Sequence, residues 1–216
     1  RDASKAAWEV PFNKAFLNST NLTYMNTTGT ITLTDITFAA PQVQVDYLDS
    51  GVFETCNSPQ CINLRYTNNI FTFNVSSFTT YSAESSCGTI STSATLGNNV
   101  TSTGTCFIIT ASNITLDCAG FTIEYDSAGT GGVAGIDTNN TDNVTIKNCI
   151  IRDINATGAN GYGINFTRTN NSFIIGNLSP GETRLNITLQ IQNITNGTRI
   201  NNTININLQI CTISCT

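Results

Sequence analysis

The chain is 216 residues long, 39% hydrophobic and 8% aromatic, with nine Lys and Arg against fourteen Asp and Glu and no histidine. Charged residues make up 11% of it, against roughly 25% in an ordinary globular domain, so its net charge of −5 supplies neither the basic footprint that nucleic acid or an anionic membrane requires nor an ionic surface sufficient for solvation. The lack of histidine excludes Ser-His-Asp and Cys-His catalysis and most zinc chemistry.

Asn at 29 positions and Thr at 36 favour turns and extended strands over helix, so the chain reads as all-β. It opens on Arg1-Asp2 with no hydrophobic leader, as expected of a processed chain. No run of 18 apolar residues occurs, so no membrane insertion is expected. Residues 6–12 are strand-patterned, and Trp8, the one tryptophan, is expected to anchor the first strand. Between 20 and 47 apolar residues recur with period two: Leu22 and Tyr24, Ile31 and Leu33, Ile36 and Phe38, then Val43, Val45 and Tyr47. Phe71, Phe73 and Val75 repeat the pattern. Period two with one polar face predicts half-buried strands of an antiparallel sheet. Cys56 and Cys61 bracket Asn57-Ser58-Pro59-Gln60, a turn sequence able to bring the two thiols together.

An internal repeat occupies 87–178. The stretches Cys106–Ile123, Ala134–Ile154 and Tyr162–Leu178 align, each a short strand, a polar Asn-rich turn and a second short strand, with Ile108, Ile136 and Ile164 spaced 28 apart. Short strands at a period of 20 to 30 residues suit a solenoid of parallel strands, in which each coil buries its inward side chains only by stacking on the next. Ile108, Ile136 and Ile164 are expected in one internal stack, and Leu116 with Ile146 in another. Beyond the repeat, Leu185, Ile187, Leu189 and Ile191, then Ile204, Ile206, Leu208 and Ile210, alternate again, which predicts further antiparallel strands.

Eight cysteines without histidine read as disulfides formed in an oxidising compartment, which places the protein outside the cell, at its surface. Cys211 and Cys215, four residues apart, lie roughly 13 Å from each other in an extended strand, too far to bond. Either the chain turns there, or these two bond elsewhere, for example to Cys56 and Cys61. The strongest single signal is Asn-x-Ser/Thr, with x not Pro. It occurs at Asn18, Asn21, Asn26, Asn74, Asn99, Asn113, Asn139, Asn143, Asn155, Asn165, Asn170, Asn177, Asn186, Asn193, Asn196 and Asn201, sixteen acceptors where this composition gives about seven by chance. N-linked glycans on them would supply the hydration that the missing charges do not.

The run CGTISTSATL, CFIITASNITLDCAGFTI, GIDTNNTDNVTIKNCIIRDI and GINFTRTNNSFIIGN resembles the right-handed parallel β-helix repeats of pectate-lyase-like proteins, in the form found in archaeal and bacterial surface proteins. The resemblance covers about 90 residues and implies a short parallel β-helix of about three to four coils over 81–178. It implies that Cys87, Cys106, Cys118 and Cys149 pair among themselves. It also places Asn113 and Asn143 at the turn where Asn side chains stack as a buried ladder, so these two acceptors are expected to stay unmodified. The segments NTTGTITLTDITF, and IGNLSPGETRLNITLQI with NNTININL, resemble the opening and closing portions of an immunoglobulin-like module of prokaryotic surface proteins. Neither half carries enough strands for a sandwich alone. The expectation is therefore a split Ig-like antiparallel β-sandwich, with 1–80 its first part and 179–216 its closing strands, packed with or interrupted by the β-helix. Two separate small β domains are the alternative.

Parallel β-helices often cleave or bind polysaccharide, and Asp117, Asp137, Asp142, Asp153, Lys147, Arg152 and Arg168 are the groups available for it. Glycoside hydrolysis needs two carboxylates about 5–10 Å apart at a cleft, and Asp137 with Asp142 is the one candidate pair. Three coils form no long groove and the sugar-cutting motifs are absent, so no enzyme is expected and these Asp read as turn caps and coil edges. Asp46 with Asp49, and Asp137 with Asp142, offer hard oxygen ligands without the density of a calcium loop, so no metal or cofactor is expected. Open solenoid ends and sandwich edges present unpaired backbone groups, and the strand-patterned termini, 6–12 and 203–213, are candidates to add to a neighbour's sheet. The expected role is structural: a subunit of an extracellular glycoprotein filament or surface layer, with copies of itself and covalent N-glycans as partners. A monomeric carbohydrate-binding or adhesive module is the alternative.

Overall fold

The computed structural model describes residues 8–9, 12–17, 26–155, 161–176 and 185–188. Among them the structure is all-β, without helix, and combines antiparallel with parallel sheets. Eight strands precede the repeat: β1 (Trp8–Glu9), β2 (Lys14–Leu17), β3 (Gly29–Leu33), β4 (Gln42–Asp46), β5 (Glu54–Thr55), β6 (Cys61–Thr67), β7 (Ile70–Val75) and β8 (Thr80–Glu84). They make two antiparallel sheets, ordered β1-β2-β8-β4-β5 and β3-β7-β6. Period two puts Ile31, Leu33, Phe71, Phe73 and Val75 of one sheet against Val43, Val45, Tyr81 and Ala83 of the other, in one buried cluster. Phe73 meets Tyr81 between the sheets with ring centroids 5.9 Å apart, inside the range of favourable aromatic pairs. The Cys56–Cys61 disulfide, with Cα atoms 5.7 Å apart, closes the connection from β5 to β6. Tyr47 departs from the alternation and is 51% exposed. The strand stops at Asp46, whose carboxylate gathers the N–H groups of Leu48, Ser50 and Gly51 into a turn.

Twelve shorter strands follow: β9 (Gly88–Ile90), β10 (Ala94–Thr95), β11 (Val100–Thr101), β12 (Phe107–Ile109), β13 (Thr115–Asp117), β14 (Thr122–Tyr125), β15 (Ala134–Asn139), β16 (Thr145–Lys147), β17 (Ile150–Asp153), β18 (Tyr162–Thr167), β19 (Phe173–Ile175) and β20 (Leu185–Thr188). The chain visits three parallel sheets in cyclic order, β9-β12-β15-β18-β20, β10-β13-β16-β19 and β11-β14-β17, and each pass forms one rung. Inward side chains stack from rung to rung, as Ala94, Leu116, Ile146 and Ile174 do in one sheet and Val100, Ile123 and Ile151 in another. The three faces share a single core. Strands this short need tight corners, and the corners are built from left-handed residues. Asn113, Asn143 and Asn171, at φ 62°, 55° and 51°, occupy equivalent places, and Asn tolerates that conformation better than other side chains with a Cβ. Disulfides Cys87–Cys106 and Cys118–Cys149 join successive rungs, with Cα atoms 4.6 and 4.7 Å apart, close to the spacing of neighbouring strands.

Ile108 does not join the stack expected of it. The register pairs Phe107 with Ile136 and Ile136 with Ile164, while Ile108 faces Asp137 and is 44% exposed. Phe107 to Ile136 is 29 positions and Ile136 to Ile164 is 28, because corner lengths differ between rungs: Phe107 to Leu116 is nine and Ile136 to Ile146 is ten, whereas Leu116 to Ile123 is seven and Ile146 to Ile151 is five. A slip of one residue turns every side chain of a strand to the opposite face, so alignment at a constant 28 selected the outward neighbour.

One segment of the expected closing part of the sandwich lies elsewhere. The described residues before Ser85 already form both antiparallel sheets, and β20, expected among the closing strands of 179–216, instead pairs in parallel with β18, Leu185 opposite Ile164. One-face burial produces period two in parallel and antiparallel strands alike, so the pattern did not identify the partner. The rest of 179–216, with Cys211 and Cys215, lies outside the described residues.

Nor is the first rung open at β10. Ala39 N–H donates to the Thr95 carbonyl at 3.2 Å and Thr95 N–H to the Thr37 carbonyl at 2.8 Å, adding residues 37–39 to the sheet edge beside β10 as a parallel bridge. Asn98 ties the same junction to Ser85, accepting its N–H at 2.8 Å and donating to its carbonyl at 3.1 Å. The Phe38 ring crowds Gly97, where an added Cβ would stand 2.5 Å from it, so any larger residue there requires the ring to move.

Candidate modification surface and charged ladders

Nine of the sixteen acceptors lie within the described residues outside β20, and the fold uses their side chains in different ways. Asn26, exposed, accepts the Phe78 N–H on Oδ1 at 2.9 Å. Asn74, on the outer face of β7, accepts from the Thr30 hydroxyl on Oδ1 at 2.9 Å, and Asn99, exposed beside β11, accepts the Thr122 N–H on Oδ1 at 2.8 Å. Asn143 donates through Nδ2 to Asn113 Oδ1 at 2.9 Å, so the expected ladder exists. It runs along the surface and is not buried, since both residues are exposed. Asn165 donates through Nδ2 to Asp137 Oδ1 at 2.8 Å, and Asn170 to Asp142 Oδ1 at 3.0 Å. The half-buried Asn155 presses its amide against Gly129, where a Cβ would come within 2.4 Å of Nδ2. Asn139 ends β15 and Asn186 lies in β20. Asn18, Asn21, Asn177, Asn193, Asn196 and Asn201 lie outside the described residues.

The charged groups considered for catalysis are drawn into the same ladders. Asp137 and Asp142 are each bonded to the next rung, through Asn165 and Asn170. Asp117 accepts from Asn148 Nδ2 at 3.0 Å, lies 3.0 Å from Lys147 Nζ and accepts the Ala119 N–H at 2.9 Å. Burial alone would raise its pKa, but the Asn148, Ala119 and Lys147 contacts outweigh that and hold the carboxyl below its ordinary value. Arg152 pairs with Glu124 at 3.4 Å, Asp153 accepts the Asn155 N–H at 3.0 Å, and Arg168 occupies a left-handed corner after β18. Partners 28 positions apart, the repeat length, mark Asp137 with Asn165, Asp142 with Asn170 and Glu124 with Arg152 in the sequence itself.

Asp46 is 3% exposed. Burial raises its pKa, but the N–H donors of Gly51, Ser50 and Leu48 prevail and lower it, and Asp49 is committed to the Thr80 hydroxyl at 2.6 Å. Oxygens already facing N–H donors are poorly placed to ligate a cation, and among the described residues no three or more His, Cys, Asp or Glu gather as a metal site. Among the described residues, Asp126 Oδ2 is buried without a hydrogen-bond partner. Burial first, then the charges of Asp153 and Asp126, raise the Tyr125 pKa and keep the phenol protonated. A cleft of about 360 Å³ lies over the outer face of β3, β7 and β6, walled by Thr30, Asn74, Ile62 and Pro59. A second, about 290 Å³, lies where the sheet pair meets the first rung, beside Phe38, Tyr66 and Ile90. Neither is lined by Asp, Glu, Lys or Arg.

No protein-family model, no curated protein and no solved structure matches the chain. The pectate-lyase-like and immunoglobulin-like resemblances therefore rest on the segments quoted for them.

Proposed function

We propose that the protein is a structural subunit of an extracellular, N-glycosylated assembly, a filament or surface layer, in which a short right-handed parallel β-helix stands on an Ig-like sandwich and copies join by strand addition. It works at the cell surface without catalysis, cofactor, nucleic acid or membrane insertion. Three disulfides fit an oxidising, extracellular setting, and among the described residues no helix is long and apolar enough to cross a membrane. The observation that carries the reading is the asymmetry of the rungs. In the sheet β10-β13-β16-β19 the first edge is covered by residues 37–39, while β19, its last described strand, leaves Phe173 54% and Ile175 52% exposed. An open edge bearing apolar side chains pairs with another strand unless it is covered, and head-to-tail pairing gives an open polymer unless rotation closes a ring.

Analytical ultracentrifugation and negative-stain imaging over a concentration series test this. Assembly of the full chain, lost on truncation after Asn201 or on removal of residues 1–12 and restored by the missing segment as a peptide, is the expected result. A full chain that stays monomeric at high concentration, with both truncations behaving alike, overturns it.

A further inference from the structure

Seven acceptors have described side-chain hydrogen bonds that separate them by which amide atom is used. Asn143, Asn165 and Asn170 each spend Nδ2, the atom that carries an N-linked sugar, on the rung below, at 2.9, 2.8 and 3.0 Å. Asn26, Asn74, Asn99 and Asn113 use Oδ1 alone, accepting from Phe78, Thr30, Thr122 and Asn143. Among the described residues their Nδ2 atoms make no hydrogen bond.

We infer that inter-rung bonding selects the glycosylation sites: Asn26, Asn74, Asn99 and Asn113 carry glycan, whereas Asn143, Asn165 and Asn170 remain bare. This rests on the glycoprotein reading and sharpens it, because the ladder pair Asn113 and Asn143, identical in motif and in left-handed backbone, receives opposite assignments. Glycosylation replaces one N–H of Nδ2 by N–C1, and the trans preference of a secondary amide then fixes where the other N–H points. A side chain that must aim an N–H at a strand roughly 4.8 Å away keeps its bond only when the remaining N–H is the one facing that strand; in the other arrangement the sugar stands against the neighbouring rung. Chains modified there before folding lose the rung contact, and chains that fold first withhold the nitrogen. Asn113, at the lower end of its pair, gives only a carbonyl oxygen, which a glycosylated side chain retains.

Glycopeptide mass spectrometry of the native protein, cleaved with chymotrypsin and a Glu-specific protease because Lys and Arg are sparse, measures occupancy at each position. High occupancy at Asn26, Asn74, Asn99 and Asn113, with little or none at Asn143, Asn165 and Asn170, is expected. Comparable occupancy in the two groups overturns the selection while leaving the glycoprotein reading intact; no glycan anywhere on the chain overturns both. Asp142→Ala, expressed in the same host, removes the acceptor for Asn170 from an exposed corner, and glycan should then appear at Asn170. Unchanged occupancy of Asn170 in that variant also counts against the selection.

Discussion

At the scale of single residues, polar side chains do in this protein what charges do in others. Asn at a corner serves twice, adopting the left-handed backbone that ends a short strand and supplying an amide that reaches the next rung. Asn165→Asp keeps the shape but turns a donor into a second carboxylate facing Asp137 Oδ1. The lost bond and the unsatisfied acceptor should cost about 1–3 kcal/mol, seen as a lower Tm. Asn99→Asp preserves the oxygen that accepts the Thr122 N–H and should leave Tm almost unchanged. Asp46 provides a pH test. Its folded pKa lies below the ordinary 3.8, so its turn contributes stability that is complete above that value and is lost as pH falls through the folded pKa. Asp46→Asn should lower Tm at neutral pH, and the gap from the parent should close below about pH 3.8. A constant gap from pH 7 to pH 2 would assign the effect to shape and not to charge.

At the scale of elements, the rungs show how little variation in corner length is needed to reverse an assignment. Phe107 and Ile108 are adjacent, both large and apolar, and the sequence offers no preference between them as the inward residue. Packing decides, because Phe107 stands opposite Ile136 in the core while Ile108 stands opposite the polar Asp137. Phe107→Asp places an unpaired charge in the interior at a cost of several kcal/mol and should yield insoluble or protease-sensitive protein. Ile108→Asp should give folded protein, with a Tm lower by at most a few degrees from the neighbouring Asp137. Equal effects of the two substitutions, measured by circular dichroism and limited proteolysis, would contradict the register.

For the whole molecule, the consequence of a low charge content is that association depends on which edges are left uncovered. The seven-residue β6 is an edge strand with Ile62 and Leu64 exposed, yet it is bulged between Ile62 and Arg65, with Asn63 at φ 57°; bulges of this kind hinder the addition of a further strand. β19 has no such interruption in its register with β16. The pair of substitutions Phe173→Asp and Ile175→Asp should therefore abolish concentration-dependent assembly without unfolding the rungs, whereas Ile62→Asp should leave assembly intact. Sedimentation velocity on the three proteins reads this out, and assembly blocked equally by both changes would move the contact away from β19.

Period-two alternation, the Asn-rich corners, the repeat and the cysteine count were legible in the sequence alone, because burial of one face, left-handed turns and disulfide chemistry each leave a local mark on residue type. That is enough for an all-β chain with disulfides and for the inward places of Leu116, Ile146, Phe71 and Phe73. Only the tertiary structure decided that Phe107 replaces Ile108 in the stack, that β20 extends the parallel rungs, that residues 37–39 cover the first rung at β10, and which Asn amides face a neighbouring strand. These depend on which strand lies beside which and at what offset. That choice is made by backbone hydrogen bonds, which every sequence with the same alternation can form, and by corner lengths, which the alternation does not mark.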